Sequence, residues 1–143
     1  MTLLSAMDIS TSGLSAEKLR MEIIAQNIAN IETTKTNGGG PYRRKVTVFK
    51  EVLQQNIQED SGSNFAGQGV EVDKIVADKA DPIMVYDPGH PDANKDGFVA
   101  KPNINLADEM VDSISASRAY AANVTILNAT KSLAIKALTI GRG

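Results

Sequence analysis

From Leu106 to Thr139 the chain runs without a proline or a glycine, and this stretch limits the possible folds more than any other feature. Pro and Gly are the residues that stop helices, so an uninterrupted run of this kind predicts one helix. At 1.5 Å per residue it would be roughly 50 Å long, too long to lie inside a small spherical core. It needs a partner along its length. The start is marked where Pro102-Asn103-Ile104-Asn105 gives way to Leu106-Ala107-Asp108-Glu109: Asn105 can cap, and the two acids suit the positive end of the helix dipole. Met110, Val124 and Leu138 fall on one heptad row and Ile114, Ala121 and Ile135 on the adjacent one, with Leu127 and Ala134 beside them. Length and period together predict a coiled coil.

Small residues crowd the first half of this helix, where Ser113, Ser115, Ala116, Ser117, Ala119, Ala121 and Ala122 allow close backbone approach to a neighbour. Ser117, Asn128 and Lys131 sit on or beside the seam, as exposed polar positions or as residues that fix register and partner choice. The amino-terminal stretch has a seam of its own: Met7, Leu14, Met21 and Ile28 recur every seven residues, joined by Ile24 and Ile31. Asn27 and Asn30 pose the same choice there. Ser5-Ala6-Met7-Asp8 has the form of a capping box, and the helix is expected to end near Thr33. Gly13 costs about 1 kcal/mol relative to Ala, so the first turns are expected to form a separate piece with Ser10-Thr11-Ser12 as hinge or second cap.

Five of the six aromatics, Tyr42, Phe49, Phe65, Tyr86 and Phe98, fall between the helices. Thr36-Asn37-Gly38-Gly39-Gly40-Pro41 is a turn-rich linker; Tyr42 to Phe49, Val70 to Val76, Ile83 to Tyr86 and Phe98 to Ala100 read as short strands, and residues 54–69 as an exposed loop. The chain therefore divides into 1–35, 36–102 and 103–143: a helix, a hairpin-rich middle too small for an independent domain, and a second helix. The fold class is mainly α.

Within the middle, Asp92, Asn94, Asp96 and Gly97 imitate the opening of an EF-hand loop, but position 12 is Asn103 and the entering helix is replaced by Asp87-Pro88-Gly89-His90-Pro91. Asp96-Gly97 between apolar runs signals a hairpin turn. No metal or cofactor is expected. The only histidine, His90, lies in a turn, and no nucleophile–base pair, phosphate-binding loop or zinc motif accompanies it. A net charge of -2 opposes nucleic acid as the main partner. The chain has no cysteine, its amino terminus lacks the pattern of a cleaved secretory signal, and no run approaches a membrane span. Export, if it occurs, is expected by another route, without membrane insertion.

Arg43-Arg44-Lys45 beside Tyr42 and Phe49 has three readings: a solvated strand face, a surface for single-stranded nucleic acid, or ion pairs with an acidic patch on a neighbouring protein. The last is favoured for Arg43 and Arg44, because the rest of the sequence is built for association.

These stretches resemble bacterial flagellar axial proteins. Ser12-Gly13-Leu14, Asn27-Ile28-Ala29-Asn30 and Thr33 are similar to the amino-terminal signature shared by rod and hook proteins. Gly39 to Lys45, "YDPGHPDANKDGFVAKPN" and "EMVDSISASRAYAANVTILNATKSLAIKAL" resemble the proximal rod branch. The resemblance implies that the terminal helices pair as an antiparallel coiled coil, pack around a channel in a helical assembly and carry the middle outward. It implies flagellar type III export, assembly in the periplasm, self-association and contact with other rod and basal-body subunits. The chain lacks the large outer domain of the distal rod and hook relatives. On this reading the subunit interface includes Met7, Leu14, Met21, Asn27, Ile28, Asn30, Arg43, Arg44, Met110, Ile114, Ala121, Val124, Leu127, Ile135 and Leu138, and the function is transmission of torque by a structural subunit. The alternative is a soluble coiled-coil adaptor or chaperone-like binding module.

Overall fold

The computed structural model describes residues 3–53 and 67–141. Two long helices, α1 (Leu3–Ala29) and α2 (Leu106–Ile140), enclose two antiparallel hairpins in sequence: β1 (Lys45–Leu53) with β2 (Gly67–Ala77), and β3 (Ile83–Tyr86) with β4 (Phe98–Lys101). Each hairpin is a separate two-stranded sheet. The mainly helical class is as expected.

α2 begins where its sequence places it. Asn105 is extended, its side-chain oxygen accepts from the Ala107 amide at 3.0 Å, and Asp108 and Glu109 occupy the first turn. The helix then continues to Ile140, one residue past the expected end.

α1 departs from expectation at both ends and in its middle. It already includes Ser5–Asp8, which are therefore not its cap. There is no break at Gly13. The hydroxyls of Ser10, Thr11, Ser12 and Ser15 donate back to the carbonyls of Ala6, Met7, Ile9 and Thr11, so these residues satisfy their polar groups inside the helix instead of capping a new one. The glycine serves the helix pair: a Cβ at position 13 would lie 2.9 Å from Asn123 Nδ2. α1 stops at Ala29, short of Thr33, where Asn30 closes it. The Asn30 amide donates to Gln26 and Asn27 carbonyls, its side chain donates to Gln26 O at 2.8 Å, and Thr33 Oγ1 donates to Asn30 Oδ1. The Tyr42 amide then bonds Thr33 O at 3.0 Å and turns the chain toward β1.

Contacts between the helices run in opposite chain order: Gly13 meets Asn123, Arg20 meets Asp112, and Asn27 meets Glu109. The face of α2 turned to α1 is the row Glu109, Ala116, Asn123 and Thr130, of which Glu109, Ala116 and Thr130 are buried. That row is not the apolar one. Met110, Ile114, Ile135 and Leu138 are all more than half exposed, while Val124 and Leu127 are half-buried. Close approach selects the small side chains, which leave room for the opposing backbone, and rotates the bulky row outward. On α1, Ala16, Ile23, Ile24 and Asn27 are buried, whereas Met7, Leu14, Met21 and Ile28 are half-buried. The small core is completed by Val99 and Ile104.

β1 starts at Lys45 rather than Tyr42, at the residue whose backbone groups Asn27 holds. It pairs from Lys45↔Ala77 to Leu53↔Gly67, with irregularities at Val48/Phe49 and Glu51/Leu53. Ser12 Oγ accepts from the Val70 amide at 3.1 Å and pins this hairpin to α1. The expected loop over 54–69 lies outside the described residues as far as 66; Gly67 to Gly69 belong to β2. The calcium-like segment closes the β3–β4 hairpin. Asp87 N donates to Gly97 O at 2.9 Å, Asn94 Oδ1 accepts from the amides of Asp96 and Phe98, and Asp92 Oδ2 accepts from Thr34 Oγ1. Gly97 has φ +83°, and a Cβ there would stand 2.8 Å from Tyr86 Cε2. The oxygens that imitate ligands thus hold the turn and tie it to the chain after α1.

Candidate assembly surface and its buried junction

Where α1 ends, α2 begins and β1 leaves, a set of polar side chains forms one junction. Asn27 is 1% exposed. Its amide nitrogen donates to Lys45 O at 2.9 Å and to Glu109 Oε2 at 3.1 Å; its oxygen accepts from Lys45 N at 2.9 Å and Tyr42 OH at 3.1 Å. By taking both backbone groups of Lys45, Asn27 fixes where the strand starts. Glu109, fully buried, receives Arg44 Nε at 2.5 Å on its other oxygen. Arg44 Nη2 reaches Asp112 at 3.3 Å, and Asp112 in turn receives Arg20 at 3.2 Å.

The electrostatics follow from this packing. Burial works against the Arg44 charge but is outweighed by the hydrogen bond and attraction of Glu109, then by Asp112 and Asp78, so its pKa is raised. Burial, and secondly the Glu109 carboxylate, hold the Tyr42 phenol above its ordinary value. A buried carboxylate with a charged donor and an amide donor is satisfied; with either removed it would be a large liability. The junction therefore fixes the geometry at which two helices and a hairpin meet.

Asn27 and Arg44, expected at the subunit surface, are engaged inside the chain. Arg43 is exposed, with Nη1 donating to Asp78 O at 3.4 Å. In sequence Glu109 reads only as a dipole-compensating acid and Tyr42 as a strand residue flanking the cations, while Asp112 and Asn123 carry no signal of their own. A signal was present in the seven-residue row Glu109, Ala116, Asn123, Thr130, which pairs polar with small residues as a close helix contact requires. Among the described residues no group of three or more His, Cys, Asp or Glu could hold a metal ion, and no helix is long and apolar enough to cross a membrane.

Outside the junction, α2 presents Met110, Val111, Ile114, Ile126, Leu133, Ile135, Leu138 and Ile140 to solvent, each at least half exposed. An apolar face of this extent is the candidate assembly surface.

Known proteins match the same elements. Residues 7–35 match the model of the flagella basal body rod protein family, and residues 95–140 that of the flagellar basal body rod FlgEFG protein C-terminal family. Over nearly the whole length, the chain is 44% identical to the flagellar basal-body rod protein FlgC of Bacillus subtilis (99% of this chain, 100% of the relative). It is 43% identical to FlgC of Borreliella burgdorferi (100% of both) and 39% to FlgC of Salmonella typhimurium (99% and 100%). The chain belongs to the FlgC family of flagellar basal-body rod proteins. In this FlgC-family chain the two family-model matches cover most of α1 and all of α2, so Asn27, Glu109 and the exposed α2 face all lie inside them. Tyr42 and Arg44 lie in the segment between, which the whole-chain relatives also span.

Proposed function

We infer that this chain is a structural subunit of the flagellar basal-body rod, polymerising through the outward faces of its terminal helices into a hollow, torque-transmitting shaft. The observation that carries the reading is the bulky apolar row of α2, Met110, Ile114, Ile135 and Leu138, turned away from α1. A helix pair already closed by its small-residue face has a second seam left for other subunits. Each aliphatic side chain fully covered there contributes about 1.5–3 kcal/mol, so a few such residues suffice to drive polymerisation. α1 and α2 are read as an antiparallel coiled coil, with the β hairpins carried outward and Arg43 at the outer contact. The chain would reach the periplasm through the flagellar type III route and meet other rod subunits there. Nucleic acid has no place in this reading.

Ile114→Glu tests it. Ile114 is 53% exposed, so the isolated chain should keep its thermal midpoint within a few degrees, while incorporation into basal bodies and swimming are lost. Normal motility of the variant would remove the α2 face from the interface.

A further inference from the structure

A groove of about 420 Å³ opens between α1, the β1/β2 hairpin and the middle of α2, walled by Ile9, Ala16, Phe49 and Val70 with the acids Glu17 and Glu51. Its volume lies in the range of binding pockets, about 300–1,000 Å³. Glu17 has an oxygen, Oε2, that is buried and without a hydrogen bond. The nearest cation, Arg20 Nη1, stands 3.8 Å from it, while the other arm of that guanidinium is held by Asp112 at 3.2 Å. This long ion pair within α1 leaves the oxygen without a hydrogen-bond donor, so a second cation from outside would complete its partners.

The far end of α2 has the complementary character. Beyond Asp112 the sequence contains Arg118, Lys131, Lys136 and Arg142 but no acid. Leu133, Lys136 and Ile140 are spaced three and four apart and so share one helix face, an apolar–cation–apolar stripe. Leu133 is 59% and Ile140 82% exposed, and among the described residues no ion pair involves Lys136. The stripe cannot enter its own groove: Asn123 lines that groove, and Ile140 stands roughly 25 Å further along the same helix at 1.5 Å per residue.

We propose that this groove is a socket for the carboxy-terminal end of α2 from a second copy of the chain, whose Lys136 pairs with Glu17 while Leu133 and Ile140 cover Ile9, Phe49 and Val70. The proposal rests on the rod-subunit reading and adds to it a specific contact between copies. It also gives the overhanging end of α2 a destination.

The absence of cysteine makes disulfide trapping clean. Basal bodies are purified from cells co-expressing a Glu17→Cys chain and a Lys136→Cys chain, then mildly oxidised. The expected result is a cross-linked dimer of this chain that needs both variants and disappears on reduction. If both chains are incorporated and no dimer forms, the socket is overturned while the rod reading stands; if the wild-type chain is itself absent from basal bodies, the rod reading fails. Should Glu17→Cys lower the stability of the free chain, Phe49→Cys with Leu133→Cys reads the same contact from the rim. Charge exchange gives an independent measure: Lys136→Glu, on an exposed position, should reduce incorporation about tenfold or more through like-charge contact, and adding Glu17→Lys should restore most of it. A double variant no better than Lys136→Glu alone, or a disulfide from the Glu17→Cys chain to a different rod protein, overturns docking between copies.

Discussion

The two ends of α2 contrast more sharply than any two elements of this fold. At its start a glutamate, Glu109, is completely buried; at its finish an isoleucine, Ile140, is 82% exposed. Hydropathy alone would reverse the two. The difference is in what each end meets. Glu109 lies where α1, β1 and α2 converge, so Asn27 and Arg44 can both be brought to it, whereas the last turns of α2 have no described element of the same chain across from them. Burial in this chain therefore follows the position of partners within one subunit, and the apolar surplus is displaced to the face that the proposed neighbour would cover.

Glu109→Ala tests that contrast most strongly. It strands Arg44 and one hydrogen of Asn27, and breaking a buried pair costs about 3–5 kcal/mol. Because Arg44 keeps Asp112 and is 27% exposed, the expected loss is near the lower figure, about 3 kcal/mol, measured by denaturant unfolding of the isolated chain. A loss under about 1 kcal/mol would mean that the junction does not hold the start of α2.

Tyr42→Phe removes one hydrogen bond to Asn27 at the same end, an expected cost of about 1 kcal/mol. It also carries a pH signature. The folded phenol titrates above its ordinary value near 10, so its contribution is fully present below that pH and is lost as pH rises through the higher folded pKa. The wild-type chain should thus lose stability in that alkaline window more steeply than the Phe variant. Parallel curves would show that the phenol is not coupled to folding.

Leu138→Ser acts at the other end and should change the unfolding free energy of the isolated chain by less than about 0.5 kcal/mol, as for other exposed positions. Incorporation into the rod should nevertheless fall. Equal stability losses from Leu138→Ser and Glu109→Ala would erase the distinction between the ends.

Much of this was legible in the residues. The proline- and glycine-free run, the Asn105 cap and the Asp-Gly turn are local signals, carried by backbone geometry within a few positions, and they placed α2 and the β3–β4 hairpin to within a residue. Gly13 was legible only in part: its helical cost is local, but its use is a close approach to Asn123, more than a hundred positions away. The serines beside it read as a hinge because a hydroxyl that caps and a hydroxyl that bonds back to its own helix look alike in sequence.

The sequence by itself determined that α2 carries bulky apolar residues on adjacent heptad rows and a crowd of small residues in its first half, and that such a long helix needs a partner. Only the tertiary structure decided which row faces α1. Periodicity reports that a face exists but not what is opposite it; the distance at which two backbones meet makes that choice, and here the close approach of Gly13 to Asn123, with Ala16 and Ala116 buried, admits the small row and turns the apolar row outward. The Asn27–Glu109–Arg44 junction was decided in the same way, because its members are separated by 65 to 82 positions in the case of Glu109 and become neighbours only when both helix ends and the first strand are in place.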